Sequence, residues 1–340
     1  MLQLLNDTPF AAERAVQLDA DGRHVWVVIV KATYRLDADG GVGLAAEQEP
    51  VCLVPQYFGE PGRSTCYRDC ELVFDHPGTA ISLFGHAWTP AGQPAQVLDV
   101  QAQIGAVSKT VRVFGDRYWL TQRGRLVPSP PQEFAALPLV YERAFGGVAP
   151  SDDSGGEAPS FDANPIGAGF ATSPQRLANT PLPNFEYPES PTLDWDSRPA
   201  PAGFAMIPPN WMPRKSFAGT FDQLWERDRM PLWPEDFDSR FFLAAPADLV
   251  SDVPLRGGEP CVLRHLSQSG DLRFSLPRVH LSFSTETMSR QRIPHRAQLD
   301  RIYIEPDALK LVLVWRTVLN CGTDARCIRK TFIDSKRVVR

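Results

Sequence analysis

The stretch HVWVVIVKATYRL, which runs from His24 to Leu36, decides the fold class of this chain. It is rich in β-branched and aromatic residues, and the turn sequence Asp39-Gly40 follows it. A run of this kind that is bounded by a turn is typical of a β-strand. The sequence therefore predicts that the N-terminal region of the protein is built from strands.

Residues 97–105 show the clearest strand pattern in the chain. Their apolar residues alternate with Asp99, Gln101 and Gln103, so one face packs on a core and the other meets water. Further candidate strands are 80–88, 109–114, 117–120, 261–266, 272–276, 279–283, 301–305 and 309–318. Turn signals recur between them and no strand–helix alternation is present. We therefore expect a mainly β protein with antiparallel β-sandwich or barrel-like sheets formed by both ends of the chain.

The centre of the chain has a different composition. Of the 32 prolines, 19 lie between Pro138 and Pro260, and proline removes a backbone donor and fixes φ. The same region is rich in Trp and Phe, which disordered segments lack. We therefore divide the chain into a β-rich N-terminal region (residues 1–137), an irregular but ordered centre (residues 138–260) and a β-rich C-terminal region (residues 261–340), which together form one compact body.

Two short helices are expected in this centre. The first covers residues 221–229, with Thr220 as N-cap, Gln223 in the capping-box position and Pro231 as the stop. The second follows Asp238, which would cap it, and runs through Phe241 and Phe242 to Ala245.

The charge and hydropathy of the chain exclude several classes of partner. The net charge is −5 without long runs of one sign, which disfavours nucleic acid or an anionic membrane as the main partner. The basic end 326–340 is expected to be a solvated tail or a last strand. No stretch reaches the roughly 18 apolar residues of a membrane helix, and the N-terminus lacks the features of a signal peptide. A cytoplasmic location is therefore expected.

No cofactor, metal or catalytic set is predicted. The sequence Gly41-Val42-Gly43-Leu44-Ala45-Ala46 matches a loose dinucleotide fingerprint, but Pro50 interrupts the helix that would hold the pyrophosphate, so a hairpin turn is favoured. The six cysteines are expected to be free thiols. A metal site would have to use Cys66 and Cys70 with His76 and His86, and the cysteine spacing does not match common zinc sites.

Two pairs of carboxylates raise the alternative of a carbohydrate-active hydrolase on a β-sandwich. Asp194 and Asp196 flank Trp195, and Asp236 and Asp238 flank Phe237. Paired carboxyls beside an aromatic ring suit sugar cleavage. The structural interpretation, in which these carboxylates accept hydrogen bonds from loop backbone, is favoured.

Arg143 and Arg214 are expected to act as internal clamps. Each lies in an irregular segment, where its five guanidinium donors can hold backbone carbonyls or a carboxylate. Asp222, Glu186 and Asp236 are the partners that the sequence offers. An arginine that faces a partner protein would look the same in the sequence.

An ordered set of phrases extends over nearly the whole chain. They are LLNDTPF from residue 4, VKATY from 30, FGHA from 84, VFGDRYW from 113, YER from 141, GG at 146, NPIG from 164, PNFE from 183, GTFD from 219, DFD from 236, GGE from 257, LD at 299 and WR at 315. In this order they resemble a bacterial family known as domain of unknown function 2169. Members of that family are encoded beside type VI secretion toxins and serve as effector adaptors or chaperones.

The resemblance implies a non-enzymatic, cytosolic protein that binds a type VI effector and helps to load it onto the spike or tip protein. No nucleic-acid or membrane partner is expected, because of the charge pattern described above. The motif residues would then be structural or in contact with the partner. These residues are Arg143, Gly146, Gly147, Asn164, Pro165, Glu186, Arg214, Gly219, Thr220, Asp222, Trp225, Asp236 and Asp238.

Overall fold

The computed structural model describes residues 2–150 and 158–336, which are mainly β-strand. Of the basic end, residues 337–340 lie outside the described ranges, and the remainder forms a 3₁₀ turn and the last strand. The strands of the N-terminal region are β1 (Gln3–Asn6), β2 (Ala11–Leu18), β3 (His24–Leu36), β4 (Val42–Leu44), β5 (Gln56–Tyr57), β6 (Cys66–Arg68), β7 (Thr79–Leu83), β8 (His86–Trp88), β9 (Val97–Ile104), β10 (Val107–Phe114), β11 (Trp119–Gln122), β12 (Arg125–Pro128) and β13 (Ala136–Pro138).

The centre has only short elements. Its strands are β14 (Phe145–Gly146), β15 (Ala168–Gly169), β16 (Phe185–Glu186) and β17 (Val250–Ser251). The α-helix of the described residues is α1 (Gln223–Asp228). The 3₁₀ turns of the chain are Pro90–Gly92, Tyr141–Arg143, Arg214–Ala218, Ser239–Phe242, Ala247–Leu249 and Ala325–Cys327. The remaining strands are β18 (Pro260–Arg264), β19 (Leu272–Ser275), β20 (His280–Thr287), β21 (Arg292–His295), β22 (Gln298–Glu305), β23 (Lys310–Gly322) and β24 (Ile328–Lys336).

Three large sheets carry the fold, and each contains strands from both ends of the chain. The seven-stranded sheet has the order β17-β7-β22-β23-β3-β2, with β4 also paired to β3. The five-stranded sheet has the order β16-β10-β9-β18-β19, and the four-stranded sheet has the order β1-β24-β20-β21. Most pairs are antiparallel, whereas β1–β24 and β7–β22 are parallel. The predicted mainly β, antiparallel class is confirmed, and no sheet of the described residues closes on itself.

The central strand β3 owes its length to burial on both faces. Twelve of its thirteen residues, from His24 to Leu36, are buried or half-buried, and it pairs with β23 over nearly its whole length. A strand covered on both sides needs a continuous apolar run, which this sequence supplies. The alternating strand β9 is the contrasting case, because Val100, Ala102 and Ile104 are buried while the polar residues between them are not.

The predicted strand 80–88 is divided in the structure. Its first half, β7, lies inside the seven-stranded sheet, and its second half, β8, pairs with β13 instead. The break falls at Phe84 and Gly85, where a Cβ on Gly85 would approach the Asp307 carboxylate to 2.9 Å. The sequence signal for this break is Gly85, because a glycine inside a strand pattern indicates a bend or a close approach of another group.

A buried ion pair ties β3 to the loops that cover it. Lys31 lies in the middle of the strand, and its Nζ donates to Glu71 Oε1 at 2.9 Å. The side chains of Lys31 and Glu71 are 2% and 0% exposed. The second Glu71 oxygen accepts the backbone N–H of Cys52 at 2.7 Å. Both carboxylate oxygens are therefore occupied, as burial of a charge requires.

A chain of polar side chains joins the seven-stranded and four-stranded sheets. Trp26 Nε1 on β3 donates to the Thr331 hydroxyl on β24 at 2.8 Å, and the Thr331 and Thr285 hydroxyls lie 2.7 Å apart. The ring nitrogens of His295 contact Thr285 at 2.7 Å and Thr317 at 2.8 Å. The contact between the two sheets is thus partly polar, and these directional bonds fix the position of one sheet relative to the other.

Replacement of Glu71 by Gln should destabilise the protein by about 3 kcal/mol, because Lys31 would keep its buried charge with only the partly exposed Glu49 nearby. Urea unfolding measures the change. The double variant Lys31→Met, Glu71→Gln should recover some of the loss. Asp228→Asn, which removes the exposed pair with Arg227, is the matched control and should leave the midpoint unchanged. An E71Q midpoint equal to that of the control would contradict the prediction.

The stability of the protein should depend on pH through His295. Burial lowers the pKa of this histidine to about 4 from its ordinary 6.5. Between these values the unfolded chain binds the proton and the folded chain does not, so this histidine contributes its full stability above pH 6.5 and loses it as the pH falls toward 4. Urea unfolding at several pH values from 4 to 7 measures this. The free energy of unfolding should rise less steeply with pH for His295→Gln than for the wild type. Equal slopes would show that His295 titrates normally.

Candidate functional site

The thirteen residues predicted from the sequence separate into two groups in the structure. The first group pins the loops around a cavity in the centre of the chain and consists of Arg143, Gly146, Gly147, Asn164, Pro165, Glu186 and Arg214. The second group lies in the segment 219–238, which contains α1 and which we call the excursion. It consists of Gly219, Thr220, Asp222, Trp225, Asp236 and Asp238. The two groups therefore do not form one site of contacting residues.

Asn164 holds together the two chain segments that form the short strand pair β14–β15. It is fully buried, and its Nδ2 donates to the carbonyls of Tyr141 at 2.8 Å and Phe145 at 3.0 Å. The Gly147 N–H returns a bond to the Asn164 carbonyl at 2.8 Å. Gly147 has φ +98°, and a Cβ there would lie 2.3 Å from the carbonyl oxygen of Gly167. Only glycine fits this crossing of two chain segments.

A tight turn follows Asn164. Pro165 occupies its second position, and the Gly167 N–H donates to the Asn164 carbonyl at 3.3 Å. Proline favours this position because its φ is already close to the value that the turn requires. A Cβ on Gly146 would also approach the Asn164 carbonyl to 2.2 Å, which explains why this position, like Gly147, is a glycine.

Arg143 is an internal clamp, as expected, but with different partners. Its Nη1 donates to Asp116 Oδ1 at 3.1 Å and Asn184 Oδ1 at 3.0 Å. The Asn184 N–H donates to the Arg143 carbonyl at 2.7 Å. Glu186 is instead paired with Arg117 at 2.6 Å. The partners offered by the sequence were wrong for Arg143, because Asp116 and Arg117 reach these positions from the segment that follows β10.

Arg214 forms a second buried clamp of the centre. Its guanidinium donates to Asp69 Oδ2 and the Phe241 carbonyl at 2.6 Å each, and to the Ile207 carbonyl at 2.8 Å. Burial raises the pKa of Asp69, but the charges of Arg214 and Arg301 and the hydrogen bonds to the carboxylate together outweigh this and leave the pKa below its ordinary value. Neither Asp222 nor Asp236 takes part, so the prediction of those partners was wrong. Asp69 lies 145 positions away in the sequence.

The residues next to these clamps line one cavity of about 590 Å³. Tyr141, Ala163, Tyr187 and Pro213 each lie within two positions of a clamping residue. The rest of the wall consists of Phe161, Glu189, Ser190, Arg198, Pro199, Ala200, Pro201, Ile207, Met212, Pro246, Ala247 and Asp248. Four prolines with aromatic and aliphatic side chains make the wall mainly apolar, and the size is typical of a ligand pocket. We call this cavity the central pocket.

One edge of the central pocket is polar. Lys109 Nζ donates to the Tyr187 hydroxyl at 2.8 Å and to Asp248 Oδ1 at 2.9 Å. The Tyr187 hydroxyl donates to Asp248 Oδ2 at 3.0 Å. Burial lowers the pKa of Lys109, although the Asp248 carboxylate opposes this. The Lys109 side chain is 0% exposed and that of Asp248 is 34% exposed, so only the carboxylate side of this pair faces the cavity.

None of these three residues was singled out from the sequence. Lys109 carried a signal, because it shares the strand face of Val111 and Val113, which are both buried. A lysine in phase with buried residues predicts a buried charge that needs a carboxylate. Tyr187 and Asp248 gave no comparable signal, since each lies in an irregular segment.

The second group builds a separate, exposed excursion. The Asp236 carboxylate accepts from Thr220 N at 2.9 Å and Thr220 Oγ1 at 2.8 Å. The N-cap of α1 is therefore Asp222, which accepts from Trp225 N at 2.9 Å. The prediction of Thr220 as the cap was wrong, because the Thr220 hydroxyl donates to Asp236 instead. The helix is also shorter than the predicted range 221–229.

Two further predictions for this excursion can be compared with the structure. Asp238 caps the turn Ser239–Phe242 and accepts from Arg240 N at 2.9 Å, as predicted, although the element is 3₁₀. Gly219 has φ +84° where the chain turns towards Asp236. Trp225 Nε1 donates to the Leu232 carbonyl at 2.8 Å, so this tryptophan holds the end of the excursion.

In the second acidic–aromatic pair, the carboxylates of Asp236 and Asp238 accept local hydrogen bonds. Asp194 and Asp196 are exposed, and the backbone N–H of Asp194 donates to Ser197 Oγ at 3.2 Å. The hydrogen bonds from Thr220 lower the pKa of Asp236, and the bond from Arg240 lowers the pKa of Asp238. A sugar-cleaving general acid needs a raised pKa. These two carboxyls are shifted in the opposite direction.

The cysteine and histidine residues are dispersed. Cys66 is buried, which raises the pKa of its thiol to about 12, and the His86 Nδ1 lies 2.7 Å from an oxygen of Asp307. The six cysteines are all free. Across residues 2–150 and 158–336, no three His, Cys, Asp or Glu side chains are grouped so as to hold a metal ion. Nor do these residues form a helix long and apolar enough to cross a membrane.

These features define a mainly β protein with an irregular centre that side chains hold around a pocket. The family model described as "Uncharacterized protein conserved in bacteria (DUF2169)" matches residues 21–316. The chain therefore belongs to this family, and the match includes the whole centre and most of both β-rich ends. No curated protein and no solved structure shows significant similarity to the chain.

Replacement of Arg214 by Lys should destabilise the protein by about 2–4 kcal/mol, because a lysine cannot hold Asp69 and two carbonyls at once. Urea unfolding measures the change. Arg240→Lys, at an exposed pair with Asp238, is the matched control and should behave as the wild type. If both variants unfold at the same urea concentration, Arg214 is not a clamp.

Proposed function

We propose that this protein is a cytoplasmic, non-enzymatic adaptor or chaperone of type VI secretion. It would bind a toxin effector and promote its loading onto the spike or tip protein. The proposal joins two arguments. The resemblance of the ordered phrases supplies the biological role, and the central pocket supplies a place where a segment of another protein can bind.

The observation that carries the proposal is the construction of the central pocket. Its wall is mainly apolar, with four prolines and aromatic and aliphatic side chains, and it is held from behind by the buried clamps Asn164 and Arg214 and the half-buried clamp Arg143. A site whose backbone is already fixed loses little conformational entropy on binding. Aromatic and proline surfaces of this kind suit an extended peptide segment better than a small polar substrate.

The charge of the pocket supports binding rather than turnover. Its lysine is fully covered and bonded to Tyr187 and Asp248, so it is not placed to attack a ligand. Burial raises the pKa of Tyr187, which keeps its hydroxyl protonated as a donor to Asp248. The pocket therefore offers fixed contacts and no activated nucleophile.

Coexpression with the toxin and the spike protein encoded beside it tests the proposal. We expect the toxin to co-purify with the wild-type chain and to become more soluble. Ala200→Trp fills the pocket from an exposed position and should abolish both effects without loss of folding. Ala46→Trp is the matched control, since Ala46 is also exposed but lines a different groove.

Two results would oppose the proposal. If neither the toxin nor the spike protein co-purifies or gains solubility, the adaptor role is wrong. If the toxin binds A200W and the wild type equally, the adaptor role stands but the central pocket is not its binding site.

A further inference from the structure

The central pocket has an acidic edge with unused hydrogen-bonding capacity. Asp248 accepts one bond on each carboxylate oxygen, from Lys109 and from Tyr187. Each carboxylate oxygen has two lone pairs, so the side that faces the cavity can accept more donors. Glu189 lies on the same wall and is exposed.

The cations near this edge are already engaged. Lys109 is fully covered, and both of its bonds lie within the group that it forms with Tyr187 and Asp248. Arg198 also lines the pocket, but its guanidinium donates to the carbonyls of Trp195, Ser197 and Ala171. Among the described residues, none forms an ion pair with Glu189. The edge therefore presents acceptors to a ligand.

The apolar wall beside this edge matches the stem of a long basic side chain. Pro199, Pro201 and Pro246 lie in the same cavity as the two carboxylates. Lysine and arginine bury their aliphatic stems on apolar surface while the charged head stays at a polar edge. An acidic side chain would instead meet the carboxylate of Glu189, whose charge no ion pair among the described residues compensates, and be repelled.

We propose that the central pocket binds an extended peptide segment of the partner through an arginine or lysine side chain. The cationic head pairs with Glu189 and Asp248, and the stem lies along the prolines. Lys109 is a positioning residue that holds Asp248 in place and does not touch the ligand. The inference rests on the proposed function for the kind of partner, and it adds the chemistry that the partner must have.

Selection of peptides on the purified full-length protein tests this assignment. A displayed library of random heptapeptides should give sequences with an arginine or lysine flanked by apolar residues. The best peptide, synthesised with a fluorescent label, should bind Glu189→Lys about tenfold more weakly by fluorescence anisotropy, since 1.4 kcal/mol corresponds to a factor of ten. Glu133→Lys, which changes an exposed acid outside the pocket wall, should bind as the wild type.

A charge exchange separates recognition from misfolding. The same peptide with its basic residue changed to glutamate should bind the wild type weakly and E189K more tightly. A variant that had merely lost its structure would bind neither peptide. Selection of acidic or uncharged peptides, equal binding to E189K, or no enrichment at all would overturn the assignment.

The test also distinguishes this inference from the proposed function. Co-purification of the toxin with E189K at wild-type levels would remove the basic-segment assignment and leave the adaptor role intact. Charge-dependent binding of selected peptides without any capture of the toxin would retain the peptide site and remove the type VI role.

Discussion

The constraint on which the centre of this protein depends is the need to satisfy backbone polar groups without a regular ladder. Its prolines remove donors and interrupt strands, so the carbonyls of its loops need other partners. Arg214 and Asn164 supply them from buried side chains, each bonded to two loop carbonyls. The central pocket exists because these bonds fix the loops that form its wall.

The sheets provide the rigid frame for those clamps. The two β-rich ends pair with each other in all three large sheets, so strands that are distant in sequence lie side by side. Asp69 and Lys109 reach the centre from the N-terminal region and bind Arg214 and Asp248. The frame thus supplies one member of each ion pair, and the centre supplies the other.

The sequence predicts the strands well because their periodicity is local, as β9 shows by the alternation around Val100. It predicts that Arg214 is a clamp, but its partner Asp69 depends on tertiary packing across 145 positions. Thr220 follows the rule for helix caps, and a bond to Asp236 overrides that rule. Local patterns therefore give the elements, whereas the wall of the central pocket depends on contacts that no local pattern records.

Amide hydrogen exchange of the free protein tests most directly the claim that side chains hold the irregular centre rigid. The amides of Gly147, Ala168 and Asn184 lie outside regular ladders or at their ends. Each is bonded to the carbonyl of a clamping residue or to one that Asn164 also contacts. The account predicts slow exchange at these positions, in the range of the central strand β3. Exchange within seconds, as in an exposed loop, would contradict it.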